Sequence, residues 1–178
     1  TSALGNQSVA MGNGSIASQP YAFAAGCEPN AGAFASVALG NATITSNDQA
    51  FAMGHKSYAS GLNSTAMGYG CSAEGIASFV EGSGNLAIGN YSVAMGEGLV
   101  MDTCGGFACG RYNEEPDNTL FVVGVGTGDF NRKDVFKIGA DAGVGTGTDI
   151  SAIFYCGLEV GDSGSNKDIF VNGTIGAT

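Results

Sequence analysis

The chain has 178 residues, a formal net charge of −10, 31 glycines and no tryptophan. No apolar stretch is long enough for a helical membrane span, and the acidic balance disfavours both nucleic acid and anionic lipid as partners. That acidity divides evenly, with six acids and one base in residues 1–110 and ten acids and five bases in residues 111–178. The chain shows no initiating Met and no signal peptide, so it reads as a piece of a longer polypeptide whose targeting signals lie elsewhere.

From its first residues the chain is periodic. Gly12, Gly26, Gly40, Gly54, Gly68, Gly82, Gly96 and Gly110 recur every fourteen residues without a slip. A fixed period this short marks a solenoid, in which each repeat is one coil that cannot fold alone. Two residues before each glycine stands Ala10, Ala24, Ala38, Ala52, Ala66, Val80, Ala94 or Ala108, and four before stands Ser8, Ala22, Ser36, Ala50, Ser64, Ser78, Ser92 or Gly106. Between these small columns lie larger ones. The first is Val9, Phe23, Val37, Phe51, Thr65, Phe79, Val93 and Phe107; the second is Met11, Ala25, Leu39, Met53, Met67, Glu81, Met95 and Cys109. Alternation of small and large is the period of a β-strand, which puts the small side chains on one face and the large ones on the other.

Half a period away the pattern returns more weakly. Ala3, Ala17, Ala31, Thr45, Ala59, Ala73, Ala87 and Met101 form another small column, and Gly5, Gly61, Gly75 and Gly89 follow some of them. The flanking column reads as mixed and mostly polar: Ser2, Ile16, Asn30, Ile44, Tyr58, Ser72, Leu86 and Val100. Each coil therefore holds two short strands closed by turns, whose glycines supply positive φ or let neighbouring backbones approach. Fourteen extended residues at about 3.3 Å each make a closed path of about 46 Å, so the interior admits little more than Ala, Ser and Gly. Eight such coils stacked at about 4.8 Å make a rod of about 38 Å.

The large face cannot stay wet. Val9, Met11, Phe23, Val37, Leu39, Phe51, Met53, Met67, Phe79, Val93, Met95 and Phe107 would form one continuous apolar stripe. Burying these twelve side chains is worth about 18–36 kcal/mol gross per chain, before the entropy of ordering is subtracted. One dry and one wet side on every coil predicts a closed homo-oligomer with those residues at its seam. Glu81 and Thr65 interrupt the stripe. A carboxylate there marks a hydrated layer or an ion site among like charges, or else a side chain turned outward.

Ser8–Gly12 and Ser92–Gly96 (Ser-Val-Ala-Met-Gly), Ser36–Gly40 (Ser-Val-Ala-Leu-Gly) and Ser64–Gly68 (Ser-Thr-Ala-Met-Gly) resemble the head repeat of YadA-like trimeric adhesins. The resemblance covers residues 1 to about 110, and columns as well as glycines agree. It implies a left-handed parallel β-roll, three chains side by side, with the apolar strand facing the threefold axis. Two features depart from bacterial members of that family. The Asp-Ala-Val-Asn neck signature and coiled-coil stalk are absent from this sequence, and there are five cysteines, which autotransported adhesins tend to avoid. The run from Asn118 to Ile138 instead resembles the segment that joins such heads to shafts in phage tail fibres and related bacterial fibre proteins.

In residues 111–178, Leu120–Val125 and Val135–Ile138 read as strands around a turn at 126–131, and Ser151–Val160 and Asp168–Val171 as two more. This part reads as a second, β-rich module of hairpins that continues the fibre as a shaft or knob. The glycine run at 124–128 lacks the Lys and the following helix of a phosphate loop. Asp162, Gly164, Asn166 and Asp168 have the alternate spacing of a calcium loop, but Gly173 stands where the bidentate Glu is needed, so a hairpin turn is the better reading. His55 is the sole histidine and sits at a coil corner, which favours a rim position over a catalytic or metal site. Glu114 and Glu115 are flanked by Asn113, Pro116 and Asp117 and read as a solvated linker rather than as paired glycosidase carboxylates.

Cys27, Cys71, Cys104, Cys109 and Cys156 show no metal-ligand spacing, and an odd number cannot pair fully within one chain. Cys109 falls in the large apolar column and Cys104 five residues earlier, on the other side of the same coil. Two readings stand: disulfides between neighbouring chains through Cys104 or Cys109, and buried free thiols.

The sequence thus predicts an all-β, homotrimeric fibre segment: a left-handed parallel β-roll of 14-residue coils over 1–110 and a smaller β-rich module over 111–178. No enzymatic activity, cofactor or metal is expected. The expected role is structural and adhesive, in a phage or similar virion fibre; the alternative is the head of a bacterial trimeric autotransporter adhesin on the outer surface. Expected partners are two further copies, other fibre or virion proteins and a host-surface glycan or protein, with neither nucleic acid nor membrane insertion. Asn30, Tyr58, Ser72, Asn47, Asp48, His55 and Tyr69 are the polar positions placed to touch such a surface.

Overall fold

The computed structural model describes residues 1–114, 119–140 and 150–154. Every repeat contributes a two-residue strand and a five-residue strand. The short ones are β1 (Ser2–Ala3), β3 (Ile16–Ala17), β5 (Asn30–Ala31), β7 (Ile44–Thr45), β9 (Tyr58–Ala59), β11 (Ser72–Ala73), β13 (Leu86–Ala87) and β15 (Val100–Met101). The long ones are β2 (Val9–Asn13), β4 (Phe23–Cys27), β6 (Val37–Asn41), β8 (Phe51–His55), β10 (Thr65–Tyr69), β12 (Phe79–Ser83), β14 (Val93–Glu97) and β16 (Phe107–Arg111). Short strands pair with short and long with long, all parallel, giving the two walls of a β-solenoid. The register never slips: Ala24 pairs with Ala38 and Gly26 with Gly40, and the same offset holds at each step.

Both turns of the coil are left-handed in φ. Every seventh residue from Gln7 to Tyr112 has positive φ, between 41° at Tyr112 and 70° at Gly105, and most of these positions are not glycine. An L-residue there costs about 1–2 kcal/mol. The cost is offset by a regular bond: the corner N–H donates to a carbonyl of the preceding coil, as in Ala42 to Cys27 (2.8 Å), Lys56 to Asn41 (2.9 Å) and Ala77 to Leu62 (2.8 Å).

The core is a narrow slot. Ala24, Ala38, Ala52, Ala66, Val80, Ala94 and Ala108 from the long strands meet Ala17, Ala31, Thr45, Ala59, Ala73, Ala87 and Met101 from the short ones, all at zero exposure. A further inward column, three residues past each repeat glycine, was not evident from the sequence: Ser15, Pro29, Thr43, Ser57, Cys71, Asn85, Leu99 and Asn113 are all buried. Ser15, Ser57, Asn85 and Asn113 in it bond the backbone, while the Thr43 hydroxyl is buried without a partner. Ser57 Oγ donates to Gly68 O (3.0 Å), and Asn85 Nδ2 donates to Glu81 O and Gly96 O (both 2.7 Å) while its Oδ1 accepts from Leu99 N (2.8 Å). The slot also admits larger groups than expected. Met101 fits because Gly106 faces it, where a Cβ would overlap its sulfur.

The fourteen-residue spacing continues beyond Gly110. In β17 (Thr119–Val125), Phe121 pairs with Phe107 and Gly124 with Gly110, parallel and in register, so a ninth long strand caps the stack. The chain then reverses. Strand β18 (Asp134–Ala140) is antiparallel to β17, and β19 (Ile150–Phe154) antiparallel to β18, so the long-strand wall ends as an antiparallel extension. Among the described residues the wall thus has eleven strands against eight in the other. The expected strand at 168–171, the calcium-like spacing at 162–168, Glu115 and Cys156 lie outside the described residues. No helix among the described residues is long and apolar enough to cross a membrane.

The apolar outer face as candidate functional site

The repeat glycines make the stacking possible. At Gly54, φ is +113° and a Cβ would overlap the carbonyl oxygen of Gly68; at Gly68, φ is +117° and a Cβ would overlap that of Gly82. Gly75 and Gly89, half a period away, lack positive φ but are equally closed to a Cβ by backbone of the next coil. Both roles assigned to turn glycines are therefore present, close approach at each and positive φ at the main column.

With alanines turned inward, the alternating positions turn outward as two ladders on one wall. All twelve residues assigned to the seam lie there, and all are half-buried or exposed. Phe23, Val37, Leu39, Phe51, Met67, Phe79, Val93 and Phe107 are half-buried by their ladder neighbours, while Val9, Met11, Met53 and Met95 are exposed, Met11 by 57%. Glu81 is exposed on the same ladder, between Met67 and Met95 by register, and Thr65 stands between Phe51 and Phe79. A face of this composition, one strand width across and the full stack long, exceeds what a solitary chain ordinarily leaves in water.

The face does not stop with the repeats. Phe107 and Phe121 stack at 5.4 Å with an interplanar angle of 4°, and Phe136 meets Phe121 edge-on at 5.7 Å. By register Ile138 lies beside Phe121 and Phe136 beside Val123. Phe121 and Val123 were findable, because each stands fourteen residues past a seam position. Phe136 and Ile138 were not, because the chain reverses before them and the period ends.

At the rim of this wall Asn41, His55 and Tyr69 are successive ladder partners, and the His55 and Tyr69 rings stack at 5.0 Å. Arg111 Nε meets Glu97 Oε2 at 3.0 Å one step apart, a solvent-exposed pair worth little to stability. Cys109 sits on the seam face between Met95 and Val123, half-buried, and burial raises its thiol pKa. Cys104 is exposed in a turn. Cys71 is inside the slot, where burial likewise holds it as a thiol and removes it from exchange between chains. Cys27, Cys71, Cys104 and Cys109 are all free within the chain.

The polar contact candidates do not form one site. Asn30, Tyr58 and Ser72 lie on the short-strand wall, where Tyr58 Oη bonds Ser46 Oγ (2.9 Å) and Ser72 Oγ donates to Glu74 (3.0 Å). Asn47 and Asp48 lie in a corner loop, with Asp48 Oδ1 accepting from Phe34 N (3.1 Å). His55 and Tyr69 belong to the other wall. The short-strand wall is also less polar than the sequence reading has it, since Ile16, Ile44 and Tyr58 are exposed on it.

A stacked parallel β-solenoid with one apolar wall is a rod-like structural segment. The model of the YadA head domain repeat matches residues 3–26, 31–57, 46–71 and 59–85, and this family match points to the adhesin type. The matched ranges fall on the stacked coils, and this parallel β-solenoid is consistent with a YadA-like β-roll. No curated protein matches the chain.

Proposed function

We propose that this chain is a structural and adhesive segment of an external homotrimeric fibre, carried by a phage or similar virion. The observation that supports the trimer is the apolar wall, interrupted only at Thr65 and Glu81 within the repeats: three copies packed around an axis give every seam residue a partner and leave the short-strand walls in water. The mechanism is rigidity with multivalency. Three identical wet faces turn weak contacts with a host-surface glycan or protein into avidity, without catalysis. The phage setting rests on sequence, namely the fibre-like run from Asn118 to Ile138 and the five cysteines. Cys104 or Cys109 would then staple neighbouring chains near the end of the roll.

The experiment is the mass of the segment in solution beside that of Leu39→Asp, which puts a charge in the middle of the wall. A three-chain mass for the parent and a one-chain mass for the variant support the trimer; a soluble parent monomer refutes it. Antibody against the segment should decorate appendages of purified particles in negative stain. Labelling of a bacterial surface instead would favour the reading to which the YadA head match itself lends weight, a trimeric autotransporter adhesin.

A further inference from the structure

We infer that the antiparallel extension formed by β17 and β18 is part of the seam, so that a second copy of this chain packs on Phe121, Val123, Phe136 and Ile138 as it does on the repeats. The inference rests on the trimer reading above and adds a partner surface outside the periodic region. Three observations lead to it.

The ladder positions continue across the change of topology. Phe107 is followed by Phe121 and then Ile138, and Cys109 by Val123 and then Phe136, by parallel and then antiparallel register. Between Phe121 and Val123, Val122 turns inward and is fully buried. All four side chains stay half-buried, as eight of the twelve repeat seam residues are.

The extension is also held in line with the stack. Arg132 Nη1 donates to Gly98 O (2.6 Å) and Asn113 O (3.3 Å), and its Nη2 meets Asp129 Oδ1 at 2.7 Å. Lys133 N donates to Tyr112 O (2.9 Å), Gly126 N to Arg111 O (2.9 Å), and Glu114 N to Asp134 Oδ1 (3.0 Å). These bonds tie the β17–β18 connection to the last two coils, so Phe136 and Ile138 cannot swing out of the plane of the wall without breaking them.

Finally, aromatic area increases here. Earlier on the wall Phe23, Phe51 and Phe79 stand on alternate long strands, whereas Phe107, Phe121 and Phe136 follow on successive ones, the first two stacked and the third edge-on. Large aromatic rings bring more buried area, and more pairing energy, to an association than the aliphatic side chains beside them. The extension therefore acts as a clamp that fixes the three chains where the roll ends.

The test places a photoreactive benzophenone side chain at Phe136 in one full-length sample and at Phe51 in another, and reads covalent multimers after irradiation. Multimers from both positions are the expected result. Multimers from Phe51 alone, with a three-chain mass in solution, overturn the inference and leave the trimer standing. Single chains from both positions, with a one-chain mass, overturn the trimer and the inference together. As a second measure, Phe136→Ser with Ile138→Ser should raise the concentration for half-dissociation by about tenfold or more. An unchanged value in a chain that keeps its β-sheet circular dichroism would contradict the clamp.

Discussion

At the scale of single residues, two kinds of positive-φ site carry opposite predictions. Gly54 has a strained φ and no room, so Gly54→Ala should destabilise the roll by about 3 kcal/mol or more, because next-coil backbone cannot yield. Gly70 has φ +61° and open space, so Gly70→Ala should cost only about 1 kcal/mol. Ala42, at φ 52°, is the converse case, and Ala42→Gly should stabilise by about 0.5 kcal/mol once relief of the corner is set against added freedom of the unfolded chain. Denaturant unfolding of the three variants checks the order. Asp134 adds a pH dependence. Its buried carboxyl has Oδ2 without a partner, and desolvation raises its pKa despite the Glu114 N–H and nearby Lys137. Between the ordinary Asp value of about 4 and the raised folded value, the folded chain holds a proton that the unfolded chain has lost. Stability thus falls as pH rises through that window and stays lower above it. Asp134→Asn keeps the Oδ1 acceptor, and should be more stable than the parent near neutral pH with the advantage fading towards about pH 4.

At the scale of the coil, stability comes from matched volumes and satisfied backbone in a slot too thin for a large core. Gly106→Ser restores the residue type common in its column but collides with Met101, so it should destabilise alone and be rescued by Met101→Ala. A double-mutant cycle reads this as a coupling of about 1 kcal/mol or more; additivity would mean the two sites do not share the space. Asn85→Ala removes three hydrogen bonds and leaves Leu99 N without its side-chain acceptor, costing about 2–3 kcal/mol. These elements also show what a sequence makes legible. The small columns and glycines were readable because the slot and the close approach each accept one kind of residue. The Ser15-to-Asn113 column was not, because its positions tolerate Ser, Pro, Thr, Cys, Asn or Leu as long as backbone bonds are met. The corners at every seventh residue stayed hidden for a similar reason: the bond to the coil before holds Glu28, Ala42 or Lys56 in a conformation usually signalled by glycine. The outward ladders were legible as apolar, and their continuation onto β18 was lost when the period ended.

For the molecule as a whole, the account turns on what covers the apolar wall. Phe23, Phe51, Phe79 and Phe107 alternate with Val37, Thr65 and Val93 along one ladder, with a methionine-rich ladder beside it, and among the described residues nothing covers either. The carboxylate of Glu81 is the one charge on these ladders within the repeats, so in a closed assembly it is brought towards its copies. Glu81→Leu should therefore raise the thermal midpoint of the assembled fibre, and a fall would place that side chain in water. The other wall leaves Ile16, Ile44 and Tyr58 exposed.

The measurement that bears most directly on all of this is the molar mass of the segment by light scattering, taken with and without reductant and again in denaturant. A mass near three times the 17.7 kDa of one chain, retained in reductant and kept in denaturant only when reductant is absent, is the result expected of an apolar axial seam with a cysteine staple. A trimer that falls apart in denaturant without reductant would remove the staple alone. A stable, soluble single chain would contradict the seam, and with it the trimeric fibre.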